Sequence, residues 1–436
     1  MQIDPALLAL TGFCVTFGLI ALRVPIGIAL AFVGVAGFAS IVGIDPALKL
    51  LAMSPMESAA DLNFAVVPLF VVMGAIARES GISTDLYRAA SAWLGHLRGG
   101  LAMATIGACA AFAAICGSSV ATSAAMGRIA LPEMRRQGYD DGYAAATVAA
   151  GGTLGVLIPP SVPFILYGFV TDTDIAKLFV AGIVPGILAA CLYMVTIRLI
   201  AALRPAAIPP PAPDIPLARK LRALNGVWAS IGIFGFVIGG IYGGLFTPVE
   251  AAGGGAFATL MVALLQRRMT LVQAGAVFVE SIRVSASLFI ILIGAVLFGK
   301  FLVITGAPQE ISAFLTGLPL PPLGTLTLIL AGFVVLGCFL DVIAMILIFI
   351  PIVHPTITAL GFDTVWFGVL VVMVCELGLI TPPYGINVFV INGIAKDVAL
   401  TRIFGGVMPF VGIDLFRVVL VLLFPAIALW LTGTMG

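Results

Sequence analysis

Residues 117–168 read GSSVATSAAMGRIALPEMRRQGYDDGYAAATVAAGGTLGVLIPPSVPFILYG. A shift of 223 positions lays them without a gap on residues 340–391, LDVIAMILIFIPIVHPTITALGFDTVWFGVLVVMVCELGLITPPYGINVFVI. Pro132, Gly138, Asp140, Leu154, Gly155, Pro159 and Pro160 fall on Pro355, Gly361, Asp363, Leu377, Gly378, Pro382 and Pro383. In so apolar a chain matched Ala or Val carries no weight, whereas matched Gly, Asp and paired Pro mark backbone geometry that both halves need. Each copy holds a helical hairpin, a G-(Y/F)-D turn and a span interrupted at LGxxxPP. Proline cannot donate a backbone hydrogen bond and clashes with the preceding turn, so Leu157–Pro160 and Ile380–Pro383 must free carbonyls. Freed carbonyls are tolerated at membrane depth only where protein buries them or where they line a polar cavity.

Working outward, the chain has 436 residues, 61% hydrophobic and 9% charged, with 50 Gly and 27 Pro. An ordinary soluble domain is about 25% charged, so the composition excludes one and points to an all-α polytopic membrane protein. A net charge of +1 offers no basic stripe for nucleic acid. Cys14, Cys109, Cys116, Cys191, Cys338 and Cys375 all lie in apolar stretches without CxxC spacing, and read as small buried residues rather than disulfides or metal ligands. His96 and His354 are isolated, and no GxxxxGK[ST], GxSxG or HExxH motif occurs, so neither an ATP motor nor hydrolytic chemistry is indicated. The N-terminus lacks a basic n-region and Asp4 precedes the first apolar run, so that run is expected to remain as a helix.

A crossing helix needs about 20 apolar residues. Ten spans are expected, near 5–22, 25–43, 62–78, 143–170, 178–200, 226–245, 249–266, 282–303, 365–394 and 403–431. Residues 99–134, centred on Gly117-Ser118-Ser119, and 324–356, centred on Gly337 and Asp341, fit two re-entrant hairpins. Two short full spans each is the alternative, which loop charge does not separate. With the loop after the first span cytoplasmic, sixteen Lys and Arg fall on that side and only Lys49, Lys177 and Lys300 on the other. That asymmetry orients both termini outward. Five crossings then separate the hairpins, so the second copy is inserted upside down. The Pro-rich linker Pro205–Pro216 falls on the cytoplasmic side between the halves.

Inverted repeats with broken helices point to a secondary transporter whose site lies near the midplane. One cation site is expected from Ser118 and Ser119 with carbonyls near Gly152 and Gly155. A second is expected from Gly337, Asp341, Gly378 and Thr381, with Glu376 nearby. Na⁺ suits such oxygen ligands. Small-residue packing is the alternative for the hydroxyl cluster, which also includes Thr122 and Ser123. Acids such as Asp341 and Glu376 in a membrane segment are functional by default. Arg128 either meets a substrate carboxylate or snorkels, and Asn387 and Asn392 either line a polar cavity or satisfy backbone. Asp414 and Arg417, one turn apart, are expected to pair. The amphipathic stretches Thr84–Leu97 and Leu217–Leu224 are too short to cross and fit helices at the interface.

Gly117–Gly168 resembles the large membrane subunit, the DctM-type permease, of tripartite ATP-independent periplasmic (TRAP) transporters. LDVIAMILIFIPIVHP (340–355) and LGLITPPYGINVFVINGIA (377–395) resemble that family's second half. The resemblance implies a Na⁺-coupled importer in the bacterial inner membrane, with the elevator-type fold of the ion-transporter superfamily and no cofactor. Its cargo would be a small organic anion such as a C4-dicarboxylate, sugar acid or sialic acid, handed over by a periplasmic binding protein of DctP type. It also implies a four-helix small membrane subunit of DctQ type, expected as a separate polypeptide because this chain starts directly with the large-subunit pattern. The substrate is expected against Thr122, Arg128, Asn387 and the breaks at Pro160 and Pro383. The implied division is 1–98 scaffold and arm, 99–177 first transport repeat, 178–303 scaffold with the linker 205–216, 304–396 second transport repeat and 397–436 C-terminal scaffold. A stand-alone Na⁺ symporter of divalent anions and an intramembrane enzyme using Asp341 and Glu376 are the competing readings.

Overall fold

The computed structural model describes residues 5–211 and 213–435, and among them every regular element is a helix. The first group is α1 (Pro5–Ala21), α2 (Ile26–Val42), α3 (Ile44–Ala60), α4 (Val66–Glu79) and α5 (Ile82–Leu94). The first repeat follows as a hairpin, α6 (Gly100–Cys116) and α7 (Ser119–Arg136), and a broken span, α8 (Asp141–Leu157) and α9 (Val162–Thr171). Between the repeats lie α10 (Ile175–Leu203), α11 (Leu217–Leu224), α12 (Trp228–Tyr242), α13 (Pro248–Leu265), α14 (Leu271–Thr305) and α15 (Ala307–Thr316). The second repeat is α16 (Pro322–Gly337) and α17 (Val342–Ala359), then α18 (Thr364–Gly378) and α19 (Ile386–Ile394); α20 (Leu400–Leu423) and α21 (Ala426–Leu429) end the chain.

The residues matched by the 223-residue shift have local duties that explain their recurrence. Asp140 and Asp363 cap α8 and α18: Tyr143 N donates to Asp140 Oδ1 at 2.9 Å and Trp366 N to Asp363 Oδ1 at 2.8 Å. Gly138 and Gly361, with φ of +85° and +75°, make the preceding turns in a region that favours glycine. Ser118 and Asp341, also 223 apart, cap the second arms of the two hairpins, accepting from Ala121 N and Ile343 N.

The halves interlock rather than stand side by side. α9 packs on α17 of the other repeat, and α19 packs on α7 and α8. α10 and α20 pack on the broken helices α8 and α18 and on each other. A second group, α2, α4, α13 and α14, is joined mainly through α2 against α14 and α4 against α13 and α14. The two amphipathic segments form α5 and α11, which pack on each other, with Trp93 Nε1 donating to the Lys220 carbonyl at 3.2 Å.

Seven helical stretches are long and apolar enough to cross a membrane: 62–79, 141–171, 175–203, 248–265, 271–305, 342–359 and 400–423. The pair α11 and α12, bent by 49°, makes an eighth. The expected spans at 5–22 and 25–43 are helices of 17 residues each. At about 1.5 Å per residue they fall a little short of the hydrocarbon thickness. α3 and α15 lie in segments left unassigned on sequence, since neither is apolar enough to read as a span.

Asp363→Ala removes the α18 cap, and its expected cost is about 1 kcal/mol. It should lower the thermal unfolding midpoint of the purified protein, whereas Asp363→Ser should stay near the parent.

Candidate functional site

A cavity of about 340 Å³ lies where both hairpin tips meet the second helix group. One wall is the first tip, Cys116–Ala121, with Asp341–Ile343 of the second tip and Val162 and Pro163 at the start of α9. The opposite wall comes from α4, with Gly74 and Arg78, and from α14, with Glu280 and Ser281. The N-termini of α7, α9 and α17 therefore converge on one space. Each such end carries about half a positive charge and unpaired N–H groups, an arrangement that favours anions.

The backbone approaches at the tips explain the matched glycines beside the breaks. A Cβ on Gly155 would lie 2.5 Å from the Ser118 carbonyl oxygen, and one on Gly378 would lie 2.5 Å from the carbonyl carbon of Gly337. Only glycine lets α8 and α18 come this close to the hairpins. Gly152 likewise lies against Ser123.

Ser118, Ser119 and Asp341 line the cavity. Thr122 is buried just behind them, and its hydroxyl and that of Ser123 have no partner among the described residues. Asn387, fully buried, donates from Nδ2 to Ser119 Oγ at 2.6 Å and to the Ala149 carbonyl at 3.2 Å, leaving its Oδ1 unpaired. The second repeat thus reaches into the tip of the first. Thr381 spends its hydroxyl on the Leu377 carbonyl at 2.7 Å. Pro160 is buried, with its carbonyl against Gly117, whereas Pro383 is exposed. Arg128 is exposed and lies outside the cavity lining. Asn392 donates to the Val398 carbonyl at 2.7 Å, which is the backbone-satisfying alternative.

Sequence reasoning missed Arg78, Glu280 and Ser281 as cavity groups. Arg78 was counted only as one of the cytoplasmic basic residues, and Glu280 lay just outside the apolar window that set the span at 282. Their signal is positional: a cation in the last turn of α4 and an acid in the first third of α14, two helices that pack on each other.

Glu376 does not join Asp341 at a tip. Arg417 Nη2 donates to Glu376 Oε2 at 2.9 Å and lies 3.0 Å from Asp414 Oδ1, so the expected Asp414–Arg417 pair is present with a third member. The Tyr193 hydroxyl donates to Asp414 Oδ2, and Thr153 Oγ1 is 3.2 Å from that hydroxyl. The three charged side chains are at most 1% exposed. The knot joins α8, α10, α18 and α20.

Comparison with known proteins places the chain clearly. A family model described as "Tripartite ATP-independent periplasmic transporter, DctM component" matches residues 13–427. The chain is 36% identical to the C4-dicarboxylate TRAP transporter large permease protein DctM of Pseudomonas aeruginosa, covering 92% of this chain and 94% of that protein. It is 31% identical to the ectoine TRAP transporter large permease protein TeaC of Halomonas elongata, covering 95% and 96%. Among solved structures, the Alcanivorax borkumensis YdaH transporter is similar with a TM-score of 0.62 at 15% identity over 89% of each chain, a likeness of fold.

Removing one member of a buried ion cluster strands the others, at about 3–5 kcal/mol. Arg417→Met should therefore sharply lower the unfolding midpoint. The triple change Glu376→Gln, Asp414→Asn and Arg417→Met should recover much of that loss.

Proposed function

The chain belongs to the DctM component family of tripartite ATP-independent periplasmic transporters, a family of large permease subunits, and from that premise we propose that it imports a small organic anion by Na⁺ coupling and an elevator movement. The observation that carries this reading is the convergence of both hairpin tips, with three helix N-termini, on one cavity that α4 and α14 also wall. A soluble periplasmic protein delivers the anion and a small four-helix subunit supports the scaffold in the inner membrane, with both termini of this chain on the periplasmic side.

Sodium is assigned to two sites. Ser118, Ser119, Gly152 and Gly155 form one, and Gly337, Asp341, Gly378 and Thr381 the other. Support for the first is the group of buried oxygens without donors, Thr122 Oγ1, Ser123 Oγ and Asn387 Oδ1, beside Ser119. Unpaired buried oxygens are costly, and a hard cation with oxygen preference relieves that cost. Support for the second is Asp341, an acid at a helix cap where Gly337 and Gly378 bring two backbones together. Each Na⁺ moving inward through the full potential would supply about 2.3 kcal/mol per 100 mV.

In this reading the substrate lies in the cavity near Thr122, Pro160 and Asn387; Arg128 and Pro383, on the surface, are not assigned to it. The moving unit holds the two re-entrant hairpins and both broken helices. It also takes in α10 and α20 from the segments that sequence assigned to the scaffold, because the Glu376–Arg417–Asp414–Tyr193 knot would have to break for them to stay behind. α2, α4, α13 and α14 are the stationary wall.

Proteoliposomes holding both membrane subunits, supplied with the binding protein and an inward Na⁺ gradient, should accumulate substrate. Uptake that persists when K⁺ replaces Na⁺ at fixed pH overturns the coupling, and full uptake without the binding protein favours a stand-alone carrier. In the same assay Ser119→Ala should raise the Na⁺ concentration for half-maximal uptake about tenfold, the scale of one lost hydrogen-bonding oxygen on a charged ligand. An unchanged Na⁺ titration removes Ser119 from the site.

A further inference from the structure

We propose that Arg78 is the anchor for the carboxylate of the transported solute and that Glu280, its present partner, receives a positive group of the same solute, so that the cargo is a compact zwitterion with a single carboxylate. This rests on the Na⁺-coupled transport reading above, replaces its organic anion by an organic acid that also carries one positive group, and names two residues on the stationary wall that select it.

The charged side chains lining the cavity are Arg78, Glu280 and Asp341. Asp341 belongs to the hairpin tip and to the sodium site proposed above, whose ion would neutralise it, which leaves Arg78 and Glu280 as the pair that faces a solute. Their contact is direct, Arg78 Nη2 to Glu280 Oε1 at 2.9 Å, and the two side chains are 28% and 55% exposed. An ion pair that is partly wet can trade partners without stranding a buried charge, which distinguishes it from the sealed Arg417 knot. Arg78 Nε donates to Glu79 Oε1 at 3.3 Å, and Glu79 lines the neighbouring cleft with Arg268 and Gln273 rather than this cavity. Arg78 Nη1 makes no hydrogen bond among the described residues, so the guanidinium keeps a donor for an incoming carboxylate. Next to Glu280, the Ser281 hydroxyl is buried, lines the same cavity and has no partner.

Counting charges selects the solute. A carboxylate on Arg78 displaces Glu280, whose own carboxylate then needs a cation. A dicarboxylate would bring a second anion to the side of the cavity that holds Glu280, with no further Lys or Arg in the lining, and like charges in contact are strongly disfavoured. A zwitterion meets both needs with one molecule: its carboxylate on Arg78, its positive group on Glu280. Specificity then comes from repulsion of the wrong partner as much as attraction of the right one.

The test uses a matched pair of probes, succinate and β-alanine, which differ by the exchange of one carboxylate for an ammonium group. Their binding is read from the rise in unfolding midpoint of the purified full chain in nanodiscs with Na⁺ present, since a ligand that binds only the folded state stabilises it. β-Alanine should reach half-saturation at a concentration about tenfold below that of succinate. Arg78→Gln should abolish the response to both, Arg78→Lys should weaken both while keeping the preference, and Glu280→Gln should bring the two probes to within about twofold of each other. The proposal is overturned if succinate binds as well as β-alanine, if neither probe shifts the midpoint, if Arg78→Gln leaves the response intact, or if Glu280→Gln keeps the full preference. Uptake into proteoliposomes that hold both membrane subunits, supplied with the binding protein, separates the two readings. Loss of Na⁺-driven uptake with the probe preference intact strikes the transport reading alone, and the reverse result strikes this one alone.

Discussion

Every interruption of a helix in an apolar medium frees backbone groups that water cannot reach, and the architecture follows from where those groups find partners. At the first break, Leu157 to Ser161 are buried throughout, and the Ser161 hydroxyl donates to the Val156 carbonyl. Away from the breaks, the two repeats are also tied to each other. Asn387 reaches from α19 to the Ala149 carbonyl on α8, while the Tyr167 hydroxyl reaches from α9 to the Thr364 carbonyl at the start of α18, at 2.7 Å. Each half therefore supplies a donor to the other half's broken span. The short second half-helix of each repeat lies against the other repeat's hairpin.

The same constraint separates two kinds of charge. Arg417 with Glu376 and Asp414 is sealed from solvent, and its value lies in joining four helices at once rather than in exchanging ligands. Desolvating three ions is costly, and the cost is offset only while all three remain together. Arg78 with Glu280 has similar chemistry in a wetter place, and there the pair is free to open. Burial decides which pair is structural and which is available to a ligand, although both link residues far apart in the chain.

Much of this was legible in the sequence because the repeat is written in residues with few alternatives. Gly138 and Gly361 hold positive φ, Asp140 and Asp363 cap helices, and Gly155 and Gly378 admit a neighbouring backbone. Each tolerates little replacement, so the match at 223 residues survives where apolar positions drift. The hairpin tips at Ser118 and Asp341 were found for the same reason. What stayed hidden depends on facing partners. Arg78 and Glu280 are 202 positions apart, and nothing local distinguishes them from other charges in the chain. Arg128 looked equally suitable as an anion ligand, yet the turn of α7 directs it outward. Glu376 reads as a neighbour of the second tip site, but helix period turns it toward α20, where it pairs with Arg417.

In the elevator reading proposed above, net charge on the moving unit is unfavourable, since each charge costs several kcal/mol to hold in hydrocarbon. The hairpin side of the cavity meets this limit by using the ends of α7, α9 and α17. A helix N-terminus presents roughly half a charge through groups already fixed by the fold, and no ionised side chain has to be desolvated to obtain it. Asp341 is the one carboxylate on that side. Full charges on the opposite wall, Arg78 and Glu280, belong to α4 and α14, which pack mainly on α13 and α2. Discrimination by ionised groups and attraction by dipoles thereby fall to different helices around one cavity.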